Sequence, residues 1–198
     1  MQVIDTPEHS ALTYVPRTPE LALVTGVALV QGRHAGLKLD IAPFGDPELV
    51  PAEEVWLSDD GDALAFRAAG ERYEVRSTAR HDRLLFAAAV DLASRDRPLR
   101  HDGRDRIEVL FEQGRLDSLH VGRYEEGDPD EYVTVVFRDA GMFLVRAAPH
   151  ERVRLRSLVI SDGVIVAETG SGQLRYEVDA EPFLLDLLAS LVSLGPDR

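Results

Sequence analysis

Gln31-Gly32-Arg33 recurs in this chain as Gln113-Gly114-Arg115, and each copy opens a longer run of shared motifs. A Gly-Asp-Pro, an Arg-Ala-Ala and an Arg-Ser motif then follow in the same order in both runs. The matching segments are 45–47 with 127–129, 67–69 with 146–148, and 76–77 with 156–157. Matches in a conserved order predict an internal duplication. Two copies favour one pseudo-symmetric unit over an open repeat array.

A second alignment of the two halves competes with the first. Ser58-Asp59 matches Ser161-Asp162, and Tyr73-Glu74-Val75 matches Tyr176-Glu177-Val178, at a longer spacing. The first alignment leaves 158–178 as an extra hairpin in the second copy, whereas the second places the extra residues at 131–157. The first has more matching motifs, so we expect the hairpin at 158–178.

The fold class follows from many short apolar segments and only two helical ones. This pattern predicts a mostly β, α+β protein with internally duplicated antiparallel sheet units, each closed by one apolar helix. The expected parts are an extended N-terminal arm (1–19), a first repeat (20–95) with a helix at 83–95, an Arg-rich linker (96–106), and a second repeat (107–198) with the extra hairpin and a C-terminal helix at 182–194.

Several local features place these elements. Prolines at 7, 16 and 19 favour the extended arm, with a short strand at 11–15. The apolar run 21–30 predicts one buried strand. Asp82 is a candidate N-cap for the first helix. Seven short strands are expected between Ile107 and Val178.

The second helix is apolar around most of its circumference. Its polar residues Asp186, Ser190 and Ser193 form one narrow stripe at helical spacing. One sheet cannot cover so wide an apolar surface, so each helix must meet a second surface on the other helix or on a partner chain. The candidate interface residues are Leu184, Leu187, Leu188 and Leu191. A homodimer is therefore one expectation.

Composition limits the classes of function. The chain has 198 residues, is 44% hydrophobic and carries a net charge of −13. This size and apolar content predict a globular protein, and the charge disfavours nucleic acids and anionic membranes. The absence of cysteine excludes disulfides and thiolate chemistry. A polar N-terminal segment and no long apolar run predict a cytoplasmic protein with no membrane segment.

A few carboxylates and histidines are candidates for chemistry. The acidic loop residues Glu125, Glu126, Asp128, Asp130 and Glu131, and the turn 59–62, have the oxygen ligands that calcium prefers. Solvated turns explain both segments more simply. His81-Asp82 and His101-Asp102 are candidate metal or acid–base pairs, although capping or solvation explains each aspartate. We therefore assign no catalytic residue, metal site or cofactor.

The linker is rich in arginine within an acidic chain. Its arginines are candidate binding residues for an anion or an acidic partner: Arg95, Arg97, Arg100, Arg104 and Arg106. A polar connector with surface ion pairs is the simpler interpretation. The repeated arginines at 33 and 115 are interpreted as structural bridges between strands or copies.

Three functional hypotheses remain. The first is a non-catalytic protein-interaction, assembly or adaptor module whose partner is another protein or a second copy. The alternative is a single-stranded nucleic-acid-binding protein built from duplicated sheet-plus-helix units, which requires aromatic side chains among arginines. The third is a hydrolase with an unrecognised metal or histidine site. Acidic charge and surplus apolar helix surface favour the first.

Overall fold

The computed structural model describes residues 2–5, 9–16, 20–24, 27–32, 38–40, 49–95, 103–123, 132–145 and 152–194. Within these ranges the chain forms fifteen strands and two helices, and the strands join into one sheet. The prediction of a mostly β, α+β fold with antiparallel pairing is confirmed.

The elements fall into two halves. The first half contains β1 (Gln2–Asp5), β2 (His9–Val15), β3 (Glu20–Val24), β4 (Ala28–Gly32), β5 (Lys38–Asp40), β6 (Leu49–Leu57), β7 (Ala63–Ala68), β8 (Glu71–Arg76) and α1 (Arg80–Ser94). The second half contains β9 (Asp105–Glu112), β10 (Arg115–Arg123), β11 (Tyr132–Arg138), β12 (Gly141–Val145), β13 (Arg152–Ser161), β14 (Val164–Thr169), β15 (Gln173–Glu177) and α2 (Pro182–Ser193).

The sheet consists of two meanders that meet at its centre. Strands β2 to β8 run outward in order on one side, and β9 to β15 do so on the other. Central strands β2 and β9 pair antiparallel. Strand β1 adds to the outer edge of β8 in parallel. Each meander therefore has seven strands and leads directly into a helix.

Three hairpins turn through the same backbone conformation. Ala69-Gly70, Gln113-Gly114 and Asp162-Gly163 all have positive φ at both central positions. These values are those of type I′ turns, whose twist matches that of the paired strands. The positive φ of Gly114 (80°) explains why the second Gln-Gly-Arg motif contains glycine. In the first copy, by contrast, Gln31-Gly32 ends strand β4.

The two helices pack on one face of the sheet, which we call the helix-side face. Helix α1 contacts β6 and β7, α2 contacts β13, and the helices contact each other. Alternate residues of β9, among them Ile107, Val109 and Phe111, are buried. The ring of His81 in α1 stacks on Phe111 at 4.1 Å, so these residues point to the helices. We call the opposite surface the helix-free face.

Each meander brings its last strand close to its first. In the second, the backbone N–H of Arg104 donates to the carbonyl of Asp179 at 2.9 Å. Asp105, at the start of β9, accepts from the Tyr176 hydroxyl (3.0 Å) and from the Asp179 N–H (2.7 Å). Burial raises the pKa of Asp105, although these hydrogen bonds oppose the shift. A Cβ on Gly103 would lie 2.6 Å from the Asp179 carbonyl oxygen, so this junction requires glycine.

Two expectations about the N-terminal strands differ from the structure. The N-terminal segment is not an arm, because it supplies edge strand β1 and central strand β2. Residues 21–30 form two strands, β3 and β4, which pair antiparallel. A continuous apolar run does not reveal whether the chain continues or reverses within it. Residues 25–26, which lie between the two strands, are outside the described ranges.

The first helix begins at Arg80, earlier than the predicted residue 83. Its N-cap is Ala79, which makes no side-chain capping bond, so Asp82 is not the N-cap. Asp82 lies within the first turn and turns its carboxylate towards the sheet. Pro182 begins α2 as predicted. No helix in the described ranges is long and apolar enough to cross a membrane.

Candidate functional site

The predicted His81-Asp82 pair is the centre of a buried polar cluster. Asp82 is 3% exposed and accepts three hydrogen bonds. The Ser10 hydroxyl donates to Oδ1 at 2.6 Å, the Ser77 hydroxyl donates to Oδ2 at 2.5 Å, and His81 Nε2 lies 3.1 Å from Oδ1. Burial alone would raise the pKa of Asp82, but the bonds from His81, Ser10 and Ser77 together lower it.

These residue types are those of a catalytic triad, but their arrangement is not. In a triad the imidazole takes the proton of the serine hydroxyl, and the carboxylate orients the imidazole. Here both serine hydroxyls donate directly to the carboxylate. The cluster ties β2, the end of β8 and α1 together, which is a structural role. The second pair, His101-Asp102, lies outside the described residues.

The acidic turn 59–62 uses its carboxylates internally. Asp60 accepts from the Ser58 hydroxyl at 2.6 Å and from the Asp62 N–H at 3.1 Å. The Ser58 bond is the main cause of the lowered pKa of Asp60. Asp62 forms an ion pair with Arg83. Among the described residues no group of three histidines or carboxylates is arranged to hold a metal ion. The acidic loop 125–131 lies outside the described residues.

The described linker arginines are bound to neighbouring acids. Arg95 contacts Asp91 at 2.7 Å and Glu181 at 3.8 Å, and its guanidinium lies 4.5 Å from the Phe183 ring centroid. Arg104 pairs with Asp179 at 2.5 Å, and Arg106 pairs with Glu108. Arg97 and Arg100 lie outside the described residues. These contacts fit the interpretation of the linker as a polar connector with surface ion pairs.

The four predicted interface leucines are buried within the single chain. Leu184, Leu187, Leu188 and Leu191 are each at most 7% exposed. A role between subunits would require them to be accessible in the free chain. In the single chain these four side chains are therefore covered by its own elements.

A row of three exposed arginines lies on β13. Arg152, Arg154 and Arg156 are exposed, and none forms an ion pair with a described residue. Leu155 is buried on the helix-side face and alternates with Arg152 and Arg154, so these two arginines lie on the helix-free face. A register shift between Leu155 and Ser157 marks a β-bulge at Arg156. Such bulges redirect a side chain without ending the strand.

The surroundings of this row combine a groove with apolar side chains. A groove with a volume of about 530 Å³ is lined by Arg154, Leu155, Arg156 and Gly170. On the neighbouring strand β12, Phe143 pairs with Arg154 and Val145 pairs with Arg152. Both apolar residues are half-buried. The alternation Arg-Val-Arg-Leu-Arg was the sequence signal for this surface, and sequence reasoning missed it.

A family model for a family of unknown function (DUF8184) matches residues 2–192. The chain belongs to this family. No curated protein matches the chain. The DUF8184 match spans both meanders and both helices, so the whole fold is the family's unit.

A polar cluster lies further along the helix-free face of this DUF8184 protein. Glu108 on β9, His120 on β10 and Thr134 on β11 are register partners in one row across the strands. His120 Nδ1 lies 2.7 Å from the Thr134 hydroxyl, and the His120 ring lies 5.6 Å from the Tyr132 ring. Burial lowers the pKa of His120, Glu108 opposes that shift and Arg106 adds to it.

This balance predicts how His120 titrates. We expect its NMR titration midpoint to lie below the usual histidine value of about 6.5. Because Glu108 favours the imidazolium, Glu108→Gln should lower the midpoint further, whereas Arg106→Gln should raise it. A His120 midpoint at the usual histidine value in all three proteins would contradict the assigned burial.

Proposed function

We propose that this protein is a non-catalytic protein-interaction module that holds an acidic partner on the arginine row of β13. The row supports this function because its charge is exposed and forms no ion pair with a described residue. Nine other described arginines pair with carboxylates, in a chain with 35 acidic residues. Neighbouring like charges on one strand repel each other, and an acidic partner relieves this repulsion.

We also propose that the two meanders are duplicated copies, related by the longer of the two sequence spacings. Ser58-Asp59 and Ser161-Asp162 both lead out of the strand before a hairpin, β6 and β13 respectively. The bulge between Ala52 and Glu54 in β6 has a counterpart between Leu155 and Ser157 in β13. Equal strand numbers support this alignment as well, and with it the second copy needs no extra hairpin.

This alignment indicates that the fold does not require the arginines. It matches Arg152, Arg154 and Arg156 with Leu49, Pro51 and Glu53, which are also exposed on β6. A leucine, a proline and a glutamate therefore serve at the equivalent positions of the same architecture. Residues that the architecture does not demand are available for binding.

A residue exchange between the copies tests this function. The double variant Arg152→Leu, Arg156→Glu carries the β6 residues on β13, so it should fold normally. We expect it to bind fluorescein-labelled polyglutamate about tenfold more weakly than the wild type by fluorescence anisotropy, because ion pairs are lost and one charge is reversed. Wild-type binding should weaken as salt is added.

A matched control uses arginines that already have partners. Arg115 pairs with Asp139 and Arg138 pairs with Asp117 in the same meander. The variant Arg115→Gln, Arg138→Gln removes two exposed arginines and should keep the wild-type affinity. Equal losses in both double variants would indicate a nonspecific charge effect and would contradict the assigned site.

Single-stranded nucleic acid is the second candidate partner, and one observation favours it. Phe143 lies beside Arg154, and the rings of His120 and Tyr132 lie close together on the same face. Aromatic rings among arginines are typical of single-strand binding. The net charge of −13 and the glutamates on this face oppose it. Tighter binding of oligothymidylate than of polyglutamate would favour this candidate.

A further inference from the structure

We infer that the acidic partner is an amphipathic helix that lies across the helix-free face of the second meander, with its acidic end on Arg152 and Arg154. This inference rests on the proposed function and adds the conformation and the apolar contacts of the partner. On this face, strands β9 to β13 place five side chains in consecutive register, which we call the cross-strand row. Its members are Leu110, Ser118, Val136, Phe143 and Arg154.

The middle of the cross-strand row is apolar and accessible. Leu110 is 46% exposed, and Val136 and Phe143 are half-buried. Val145, which pairs with Arg152 beside Phe143, is also half-buried. Helices α1 and α2 pack on the opposite face, so neither of them covers the row. A contiguous apolar surface beside unpaired charge is typical of an interaction site.

The charge on this face changes sign from one end of the cross-strand row to the other. Arg154 ends the row on β13, with Arg152 beside it, and neither forms an ion pair with a described residue. At the opposite end, on β9, Glu112 is exposed and Glu108 pairs with Arg106. The partner that complements this face has carboxylates at the β13 end, apolar side chains in its middle and basic side chains at the β9 end.

The backbone of the cross-strand row favours a helical partner over an extended one. Leu110 pairs with Ala11 on one side and Ser118 on the other, and Val136 lies between Ser118 and Phe143. The backbone groups of these strands already bond within the sheet, so a segment lying on the face finds none to pair with. A helix satisfies its own N–H and C=O groups. Four strand intervals cover roughly 19 Å, the length of a helix of about 13 residues.

Two fluorescein-labelled peptides of equal composition test this inference by fluorescence anisotropy. Both have glutamates in the first turn and lysines in the last. In one peptide the leucines occupy a single helical face at i, i+3, i+4 and i+7, and in the other they are spread around the helix. We expect the full-length protein to bind the one-faced peptide about tenfold tighter, because only that peptide buries its leucines on the cross-strand row.

Variants of the full-length protein locate the contact. Leu110→Ser should weaken binding of the one-faced peptide about fivefold and leave polyglutamate binding unchanged. Val136→Thr keeps the β-branched shape and should act in the same direction. Leu49 on β6 is 48% exposed and lies outside the row, so Leu49→Ser is the matched control and should keep the wild-type affinity. Circular dichroism of each variant confirms that a loss of binding is not a loss of fold.

The other outcomes separate the inference from the proposed function. Equal affinity for the two peptides, with polyglutamate still bound, would overturn the helix while leaving an acidic partner in place. Equal losses in Leu110→Ser and Leu49→Ser would overturn the assigned face. Tighter binding of oligothymidylate than of either peptide would overturn the inference in favour of nucleic acid. No binding of any probe by the wild type would overturn both the inference and the proposed function.

Discussion

Asp82→Ala is expected to destabilise the protein by about 3–5 kcal/mol, the cost of removing one partner from a buried, hydrogen-bonded charge cluster. The substitution leaves the hydroxyls of Ser10 and Ser77 and the ring N–H of His81 without their shared acceptor. These groups lie in the interior, where water cannot replace the carboxylate. Urea denaturation followed by circular dichroism measures the change in the free energy of unfolding.

Control substitutions separate the cluster from general effects on the helix. Asp91 lies exposed on the same helix and pairs with Arg95, so Asp91→Ala should cost less than about 1 kcal/mol. Ser10→Ala and Ser77→Ala each remove one donor and should cost about 1 kcal/mol. An Asp82→Ala loss no larger than that of Asp91→Ala would contradict the structural role of the cluster.

The same residue makes stability depend on pH. The pKa of Asp82 is lower in the folded protein than in the unfolded chain. Its contribution is therefore present above the unfolded value of about 3.9 and is lost as the pH falls through the folded value. Asp82→Asn should remove this part of the acid-induced loss of stability. Asp105, whose pKa is raised, acts in the opposite direction.

The second half of the fold was easier to read from the sequence than the first. All seven strands between Ile107 and Val178 were predicted, because turn residues interrupt the apolar segments at regular intervals. In the first half, β3 and β4 merged into one apolar run. The N-terminal prolines favoured an extended arm, so the sequence did not predict that β2 is a central strand. Pro16 directly follows β2 and does not interrupt it.

The candidate site was missed for a different reason. The linker arginines were the candidate binding residues because arginine is dense in that segment. Whether an arginine is available to bind a partner depends instead on its burial and its ion pairs. Arg95, Arg104 and Arg106 meet acids that are distant in the sequence or on the same strand face. Arg152, Arg154 and Arg156 have the pattern of an ordinary amphipathic strand, and only the pairing of β13 with β12 shows Arg154 beside Phe143 and Arg152 beside Val145.

The apolar surface of the helices is broad, and its burial contributes to the free energy of unfolding. Helix α2 contacts β13 on one side and α1 on another. The polar stripe Asp186, Ser190 and Ser193 is exposed. Between these contacts Leu188 is completely buried. We therefore expect Leu188→Ala to cost about 2–5 kcal/mol, because it removes buried methyl groups and leaves a cavity between packed elements.

A leucine at the surface provides the comparison for this prediction. Leu110 is 46% exposed on the helix-free face, so Leu110→Ala should change the free energy of unfolding by less than about 0.5 kcal/mol. A loss below about 0.5 kcal/mol for Leu188→Ala as well would contradict the two-sided packing of α2. Light scattering on both variants distinguishes the remaining explanations. If Leu188 served a subunit interface, its truncation would lower the solution mass, whereas packing within one chain lowers the stability and leaves the mass unchanged.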